Sequence, residues 1–235
     1  MTQGAPPRGL ANARDVGTTV PGIRPGVLWR SDAPYAPHDG PPGASAWPPG
    51  TVIDLRDSRE RGVLHPYGDS ATVMWVPLIA DASPVHVSTV PTLGDLYLGM
   101  LAQGPAQLLV SVIDTVATAE GSVLVHCAAG KDRTGVSVAL ALSLTGTRRD
   151  HIIEDYLLTA ANMPAVLERL MAPGSAHQGV VFDSSRFPPE MLTASLVAIE
   201  TVLDAWGAAG GAEEWFLAAG GSRETITALR ARLSA

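Results

Sequence analysis

The sequence predicts a single α/β domain with a mostly parallel central sheet of four to five strands flanked by helices. Short apolar, β-branched runs predict the strands, the clearest being 27–29, 51–55, 72–78 and 122–126. Apolar residues at helical spacing lie between and after these runs, and such alternation is typical of a parallel sheet. The 235 residues suffice for one domain of this class with a sizeable core.

The first half of the chain supplies three of the strands and a long loop. Pro-Gly turns at 21–22 and 25–26 precede the strand at 27–29. Residues 33–50 follow, and their six prolines exclude a long regular helix, so we predict a Pro-rich loop there. The strand at 72–78 leads into a further loop that carries Asp81.

Helices are predicted on both sides of the last strand. Helical spacing covers 93–100 and 105–119 before it, and 136–144 after it. The sequence Thr147–Asp150 resembles a capping box and predicts the start of another helix. Residues 171–189 show no periodicity and are predicted to form a long loop or lid. Helical spacing then returns in three runs, which are 192–206, 213–219 and 222–233.

Composition narrows the functional classes. A net charge of −7 and a pI near 5.3 give no broad basic surface for nucleic acid or anionic membranes. Cys127 is the only cysteine, which excludes an intrachain disulfide and suits a reducing compartment. The N-terminus lacks a signal-peptide pattern, and Asp114 and Glu120 interrupt the longest apolar stretch. We expect a cytoplasmic protein without integral membrane association; export without a signal peptide stays open.

One loop joins the last strand to the helix that follows. Residues Val123 to Gly135 read Val-Leu-Val-His-Cys-Ala-Ala-Gly-Lys-Asp-Arg-Thr-Gly, which predicts a buried strand, a tight turn and a helix N-terminus. Cys127 and Arg133 bracket the turn, so their side chains are expected to close on one point where the loop N–H groups converge. Unpaired N–H groups and the helix dipole favour an anion there.

The same loop contains a candidate nucleophile. A thiol beside cations at a helix N-terminus ionises more readily than a free thiol, so Cys127 is expected to react as a thiolate. The planar fork of Arg133 fits two phosphate oxygens and continues to bind them as charge redistributes. The Thr134 hydroxyl is expected to hydrogen-bond the sulfur when it leaves, and His126 is expected to orient the loop.

The rest of the loop is expected to bind the substrate. Lys131 is the only lysine of the chain, so a second cation beside Arg133 would suit a multiply charged phosphate. With His126, the expected substrate-binding residues are Ala128, Ala129, Gly130, Lys131 and Gly135.

Residues His126 to Gly135 resemble the signature of the cysteine-dependent protein tyrosine phosphatase superfamily. They are similar to its bacterial tyrosine-phosphatase-like family, whose members act on phosphoproteins and phosphoinositides and include secreted enzymes. Shorter matches to that family lie at Asn12–Gly17, Leu28–Ser31, Asp54–Arg56 with Glu60, and Asp155–Leu158. The Pro-rich loop is a departure, because relatives usually place a helix before the next strand.

The resemblance implies a phosphomonoester hydrolase that works through a phosphocysteine intermediate, most readily on phosphotyrosine proteins. Dual specificity and phosphoinositide substrates stay open. Two alternatives are a phosphatase of a small phosphorylated metabolite and a non-catalytic module that binds phosphorylated partners. A sulfur-transfer enzyme also uses a cysteine in an anion-binding loop, but the Lys-Asp-Arg-Thr-Gly sequence fits phosphate chemistry better.

Two aspartates are candidates for the general acid. In related dual-specificity and lipid phosphatases an aspartate shortly after such a strand protonates the leaving oxygen, which makes Asp81 the first candidate. Asp132 competes with it, because a carboxylate in an anion-binding loop either turns away to brace the loop or is protonated and acts as the acid. The bracing role is ranked slightly ahead.

No metal or cofactor is expected. The histidines other than His126 have no metal-ligand spacing, and one cysteine cannot build a zinc cluster. The expected partner is a phosphorylated protein, a phosphoinositide or a small phosphate ester rather than nucleic acid. Oligomeric state is not indicated by the sequence.

Overall fold

A computed structural model of the protein describes residues 9–37, 40–41, 47–79, 92–171 and 192–235. The sheet formed by these residues has five strands in the order β1-β2-β5-β3-β4, and of these strands β1 alone runs antiparallel to its neighbour. The strands are β1 Arg14–Asp15, β2 Leu28–Ser31, β3 Thr51–Asp54, β4 Thr72–Trp75 and β5 Val123–His126. The predicted mostly parallel α/β architecture is confirmed. Strand β1 was not predicted, because two charged residues carry no periodic signal.

The described residues form eight helices. They are α1 Val16–Thr19, α2 Leu93–Met100, α3 Pro105–Thr118, α4 Asp132–Leu144, α5 Arg149–Met171, α6 Leu196–Ala208, α7 Ala212–Ala218 and α8 Arg223–Leu233. Helix α4 begins four residues before the apolar run that predicted it, because its first turn belongs to the polar loop sequence. Among the described residues no single helix is long and apolar enough to cross a membrane, although α2 and α3 pass that test as a pair bent by 71°.

Strands β3 and β5 occupy the middle of the sheet. All four residues of each are buried, which explains their near-continuous apolar sequences. The pairing register aligns Ser31, Asp54 and His126 in one row at the carboxyl ends of their strands. The residues that follow this row therefore lie at the edge of the sheet where α/β proteins bind ligands.

The two faces of the sheet are covered differently. On one face Leu28, Ile53 and Val125 join the main hydrophobic core, which includes apolar residues of helices α2 to α8. On the other face Val52 and Leu124 pack with aromatic residues, which are Trp29, Trp47 and Tyr67. Strand β5 and helix α4, which flank the connecting loop, therefore both pack in the main core.

Several predictions fall partly or wholly on residues outside the described ranges. In the predicted Pro-rich loop at 33–50, the described residues form neither helix nor strand, as that prediction requires. Residues 38–39 and 42–46 lie outside the described ranges. The predicted lid at 171–189 begins at the last residue of α5, and the rest of it lies outside. Asp81 also lies outside, so its role stays a prediction.

Candidate active site

The predicted anion-binding loop lies between β5 and α4 at the carboxyl edge of the sheet. Cys127 directly follows β5 and is buried, and Lys131 directly precedes α4. No side chain among the described residues caps the N-terminus of α4, so its first N–H groups face the loop without a side-chain acceptor. This arrangement leaves the positive end of the helix dipole directed at the loop.

Donors outside the loop hold its carbonyl groups. The Ala33 N–H donates to the Ala128 carbonyl at 3.0 Å, and Asn12 Nδ2 donates to the carbonyls of Ala129 and Gly130 at 3.1 Å each. Arg30 Nη2 also donates to the Gly130 carbonyl, at 3.0 Å. In a trans peptide the carbonyl and the next N–H point in opposite directions. The N–H groups that follow these carbonyls therefore point to the other side, as an anion cradle requires.

An ion-pair network holds these donors in turn. Asp155 of α5 accepts from Arg14 Nε at 3.0 Å and from Arg30 Nη1 at 2.5 Å. Arg14 Nη1 and Asn162 Nδ2 donate to the side-chain oxygen of Asn12, at 2.7 Å and 3.1 Å. Burial alone would raise the pKa of Asp155, but the two arginines outweigh it and lower the pKa below the usual range. The network thus fixes Asn12 and Arg30, and both arginines are paired with Asp155.

Two loop glycines are required by close backbone or ring contacts. Gly130 has a φ of +66°, and a Cβ there would lie 2.4 Å from the Ser31 carbonyl oxygen. A Cβ at Gly135 would lie 2.9 Å from the ring of Tyr156. The loop therefore packs directly on the end of β2 and on α5, which leaves no room for side chains at these positions.

Arg133 is clamped by Glu60, which follows β3. The Arg133 Nη1 and Nη2 atoms donate to the two carboxylate oxygens at 2.5 Å and 2.7 Å, and Nη1 also donates to the Leu55 carbonyl at 3.3 Å. Burial alone would lower the pKa of Arg133, but the Glu60 carboxylate outweighs burial and raises the pKa above the ordinary value. Arg133 is therefore a permanent cation close to the thiol.

These contacts leave one edge of the guanidinium for a ligand. Both hydrogens on Nη1 and one on Nη2 are used, so the adjacent Nε–H and second Nη2–H have no acceptor among the described residues. Two parallel N–H groups of this kind bind a phosphate or carboxylate in bidentate fashion. Glu60 belongs to one of the shorter family matches, and the structure identifies its partner as Arg133, the arginine of the signature.

His126 lies at the base of the loop in a buried cluster. Its Nδ1 lies 3.2 Å from the Cys127 carbonyl oxygen, and its Nε2 lies 3.0 Å from Nε2 of His65. Asp54 Oδ2 lies 3.8 Å from the same Nε2 and accepts from Arg56 Nη2 at 2.7 Å. The ligand-type atoms of Asp54, His65 and His126 all lie within 4.8 Å of one another, a grouping that their sequence spacing did not indicate. Hydrogen bonds and ion pairs occupy each of them.

Asp132 and Lys131 contact each other and neighbouring protein oxygens. Asp132 Oδ1 accepts from the Tyr97 hydroxyl at 2.7 Å and lies 3.4 Å from Lys131 Nζ. Lys131 Nζ also donates to the Thr193 carbonyl at 3.3 Å, and its side chain is only 3% exposed. The Asp132 side chain is 24% exposed, so it is held at one oxygen while part of it faces outward.

The Thr134 hydroxyl is buried and has no hydrogen-bond partner among the described residues, the Cys127 sulfur included. Its expected bond to the departing sulfur therefore stays a prediction, as does the expected role of Lys131 as a second substrate-binding cation. Sequence reasoning did not identify Asn12, His65 or Tyr97 as supports of the loop. Their positions follow from tertiary contacts rather than from local spacing.

Comparison with known proteins agrees with this geometry. The profile described as "Tyrosine phosphatase family" matches residues 6–235. The triple specificity protein phosphatase PtpB of Mycobacterium tuberculosis is 28% identical over 268 residues, covering 94% of this chain and 96% of the relative. A tyrosine-protein phosphatase of Nostoc commune is 34% identical over 80 residues, covering 34% of this chain and 27% of the relative. The protein is a phosphatase, and the chain belongs to the tyrosine phosphatase family.

Proposed function

We propose that the protein hydrolyses phosphomonoesters through a phosphocysteine intermediate on Cys127. The observation that supports this most directly is the edge of the Arg133 guanidinium that Glu60 leaves without an acceptor among the described residues. The loop carbonyls are bound by donors outside the loop, so the N–H groups that follow them point to the opposite side. Such a cradle binds the three non-bridging oxygens of a phosphoryl group and stabilises their charge during transfer.

The reaction proceeds in two steps. The Cys127 thiolate attacks phosphorus, the bond to the ester oxygen breaks, and a general acid gives that oxygen a proton. Water then attacks the phosphorus of the thiophosphate ester, which releases inorganic phosphate and returns the electron pair to sulfur. The Thr134 hydroxyl, which is buried without a hydrogen-bond partner among the described residues, is proposed to stabilise the departing sulfur.

The general acid is proposed to be Asp81 or Asp132. Asp132 is supported by its place in the first turn of α4 and by the single oxygen through which Tyr97 holds it. The two are separated with Asp81→Asn and Asp132→Asn and a series of aryl phosphates. Loss of the acid makes the rate depend steeply on the leaving-group pKa, whereas loss of a bracing residue lowers the rate for all esters alike.

The preferred substrates are proposed to be phosphotyrosine proteins. The relative PtpB is named a triple specificity phosphatase, which supports testing phosphoserine peptides and phosphoinositides in the same panel. Lys131 is proposed to favour multiply charged phosphates only if its ammonium leaves Asp132 and the Thr193 carbonyl. A cytoplasmic location is proposed as well, because the lone thiol must stay reduced.

The decisive experiment measures hydrolysis of a small aryl phosphate by the wild type, Cys127→Ser and Arg133→Ala. We expect Arg133→Ala to lose at least about a hundredfold in kcat/KM, the typical loss on removing a transition-state stabilising donor. Cys127→Ser is expected to lose more, because the nucleophile itself is removed. Trapping of a phosphorylated Cys127 by rapid acid quench would identify the intermediate. Equal turnover by all three proteins would refute the mechanism, and tight phosphopeptide binding without turnover would indicate a non-catalytic module.

A further inference from the structure

Two imidazole rings meet end to end beneath the candidate active-site loop. His126 belongs to the signature, whereas His65 comes from the segment between β3 and β4 and belongs to none of the motifs. Both side chains are buried, and their Nε2 atoms are 3.0 Å apart. Since one Nε2 must donate and the other accept, the contact constrains which nitrogen of each ring carries the proton.

Neighbouring backbone groups determine the direction of this hydrogen bond. The Tyr67 N–H donates to His65 Nδ1 at 3.1 Å, so the proton of a neutral His65 is on Nε2. That N–H points at His126 Nε2, which must accept and leaves the His126 proton on Nδ1. Nδ1 lies 3.2 Å from the Cys127 carbonyl oxygen and donates to it. The three hydrogen bonds thus run in one direction, from the Tyr67 N–H through both rings to the Cys127 carbonyl oxygen.

Charged groups near His126 also influence which of its nitrogens carries the proton. Asp54 Oδ2 lies 3.8 Å from His126 Nε2 and would favour a proton on that nitrogen. Arg56 is paired with Asp54, and its charge and that of Arg133 oppose a positive His126. Burial is the largest influence on both rings, and it lowers the pKa of His126 to about 4 and that of His65 to about 3. Both rings are therefore neutral near pH 7, where the tautomer decides the donor.

We propose that His65 is a positioning residue that holds His126 in the tautomer whose Nδ1–H donates to the Cys127 carbonyl. That carbonyl belongs to the residue that carries the sulfur, and the donated N–H offsets part of its negative dipole. Without His65, the lone pair on His126 Nε2 loses its donor and the nearby Asp54 draws the proton to that nitrogen. Nδ1 would then present a lone pair to the Cys127 carbonyl, which disfavours a thiolate. The effect on kcat rests on the proposed phosphocysteine mechanism, whereas the tautomer of His126 does not depend on that mechanism.

A matched pair of variants separates packing from hydrogen bonding. His65→Phe keeps an aromatic ring between Tyr67 and Trp75 but has no donor. His65→Gln gives up the ring but keeps an amide N–H near the position of Nε2. Long-range ¹⁵N–¹H spectra of the histidine side chains report directly which nitrogen of His126 carries the proton.

We expect an unprotonated His126 Nε2 in the wild type and in His65→Gln, and a protonated Nε2 in His65→Phe at pH 7. Alkylation of Cys127 by iodoacetamide at pH 6 is expected to slow about tenfold in His65→Phe, the size of one lost hydrogen bond beside a charged group. The kcat for an aryl phosphate is expected to fall with it, while KM changes little. Urea unfolding of each variant shows whether it is folded.

A wild-type His126 protonated on Nε2 would overturn the proposal, and so would a folded His65→Phe with the wild-type tautomer and alkylation rate. If His65→Phe does not fold, His65→Gln decides, because a folded protein with a protonated His126 Nε2 contradicts the proposal. The spectra and the alkylation rates need no substrate. If the proposed phosphatase mechanism fails, the spectra and the alkylation rates still test the role of His65, so the two failures can be distinguished.

Discussion

At the scale of single residues, Arg133 is fixed by protein acceptors before any substrate binds. Glu60 takes one edge of the guanidinium, and the Leu55 carbonyl takes a further hydrogen, so the remaining edge has a defined direction. An arginine that is already oriented does not need to reorganise as charge develops on the phosphoryl oxygens. The same pairing leaves Arg133 dependent on a single carboxylate in a buried place.

Replacing Glu60 with glutamine tests this dependence. The variant keeps the shape but removes the charge, so we expect kcat/KM for an aryl phosphate to fall about a hundredfold. The free energy of unfolding is expected to fall by about 3 kcal/mol, because a buried cation loses its partner. Steady-state kinetics and urea denaturation measure the two effects. Wild-type kinetics in folded Glu60→Gln would show that Glu60 does not orient Arg133.

Gly130 offers a second test with a matched control. Alanine at this position must adopt a left-handed φ and bring Cβ to 2.4 Å from the Ser31 carbonyl oxygen. We expect Gly130→Ala to cost at least about 2 kcal/mol and to abolish most activity. Gly99 in α2 has open space around a Cβ, so Gly99→Ala should stabilise the protein by about 0.5 kcal/mol. Thermal unfolding of both variants checks the contrast.

At the scale of elements, the segment from Arg56 to Tyr67 supports the loop at two points. Glu60 holds the arginine at the helix end of the loop, and His65 holds the histidine at the strand end. The parallel register of β3 and β5 places this segment directly beside the loop. One connection between two strands therefore sets the geometry of the strand-to-helix turn next to it.

The buried histidine pair predicts that stability depends on pH. In the folded protein the pKa of His126 is about 4, below its ordinary value of 6.5, so the unfolded chain binds more protons between these values. The folded protein keeps the full stability that comes from a neutral His126 above about pH 6.5, and it loses that stability as pH falls toward about 4. From His126 alone, we expect the free energy of unfolding to be about 2 kcal/mol lower at pH 5 than at pH 7.

Urea denaturation at the two pH values measures this loss. In His126→Asn the loss should be smaller, because one of the two buried rings is gone. His151→Asn removes a histidine of α5 outside the buried cluster and should keep the wild-type pH dependence. A loss of the same size in His126→Asn and the wild type would assign the pH dependence to other groups.

At the scale of the whole molecule, the loop depends on residues far away in the sequence. Asn12 reaches carbonyls 117 and 118 residues later, and Arg30 reaches one 100 residues later. Asp155 of α5 ties Arg14 and Arg30 together from the other side. The site is therefore built by the tertiary fold and not by the signature alone.

Asn12→Ala removes both amide hydrogen bonds to the loop and leaves the buried carbonyls of Ala129 and Gly130 with fewer donors. We expect kcat to fall about tenfold and the free energy of unfolding to fall by about 2 kcal/mol. Asn162→Ala removes only one hydrogen bond to Asn12 and should affect both quantities less. Kinetics and urea denaturation compare the variants, and a wild-type kcat in folded Asn12→Ala would mean that Asn12 does not support the loop.

Local sequence patterns predicted the parallel strands, the main helices and the cysteine loop, because periodicity and the signature lie within short windows. They did not predict β1, whose two residues pair only because β2 is adjacent. They also did not predict the contacts of His65 or Tyr97 with the loop, which depend on how strands and helices pack. Asp54, His65 and His126 show no common spacing along the chain; the sheet register aligns Asp54 with His126, and the connection between β3 and β4 brings His65 to them.

The donors that hold the loop carbonyls lie in the first 33 residues, and the carboxylate that pairs with two of the arginines there lies at residue 155. During synthesis on a ribosome the N-terminal donors emerge long before the peptide groups they will bind, and Asp155 emerges later still. Activity can therefore arise only once α5 has docked, so in refolding experiments catalysis should return with the last of the tertiary structure and not before it.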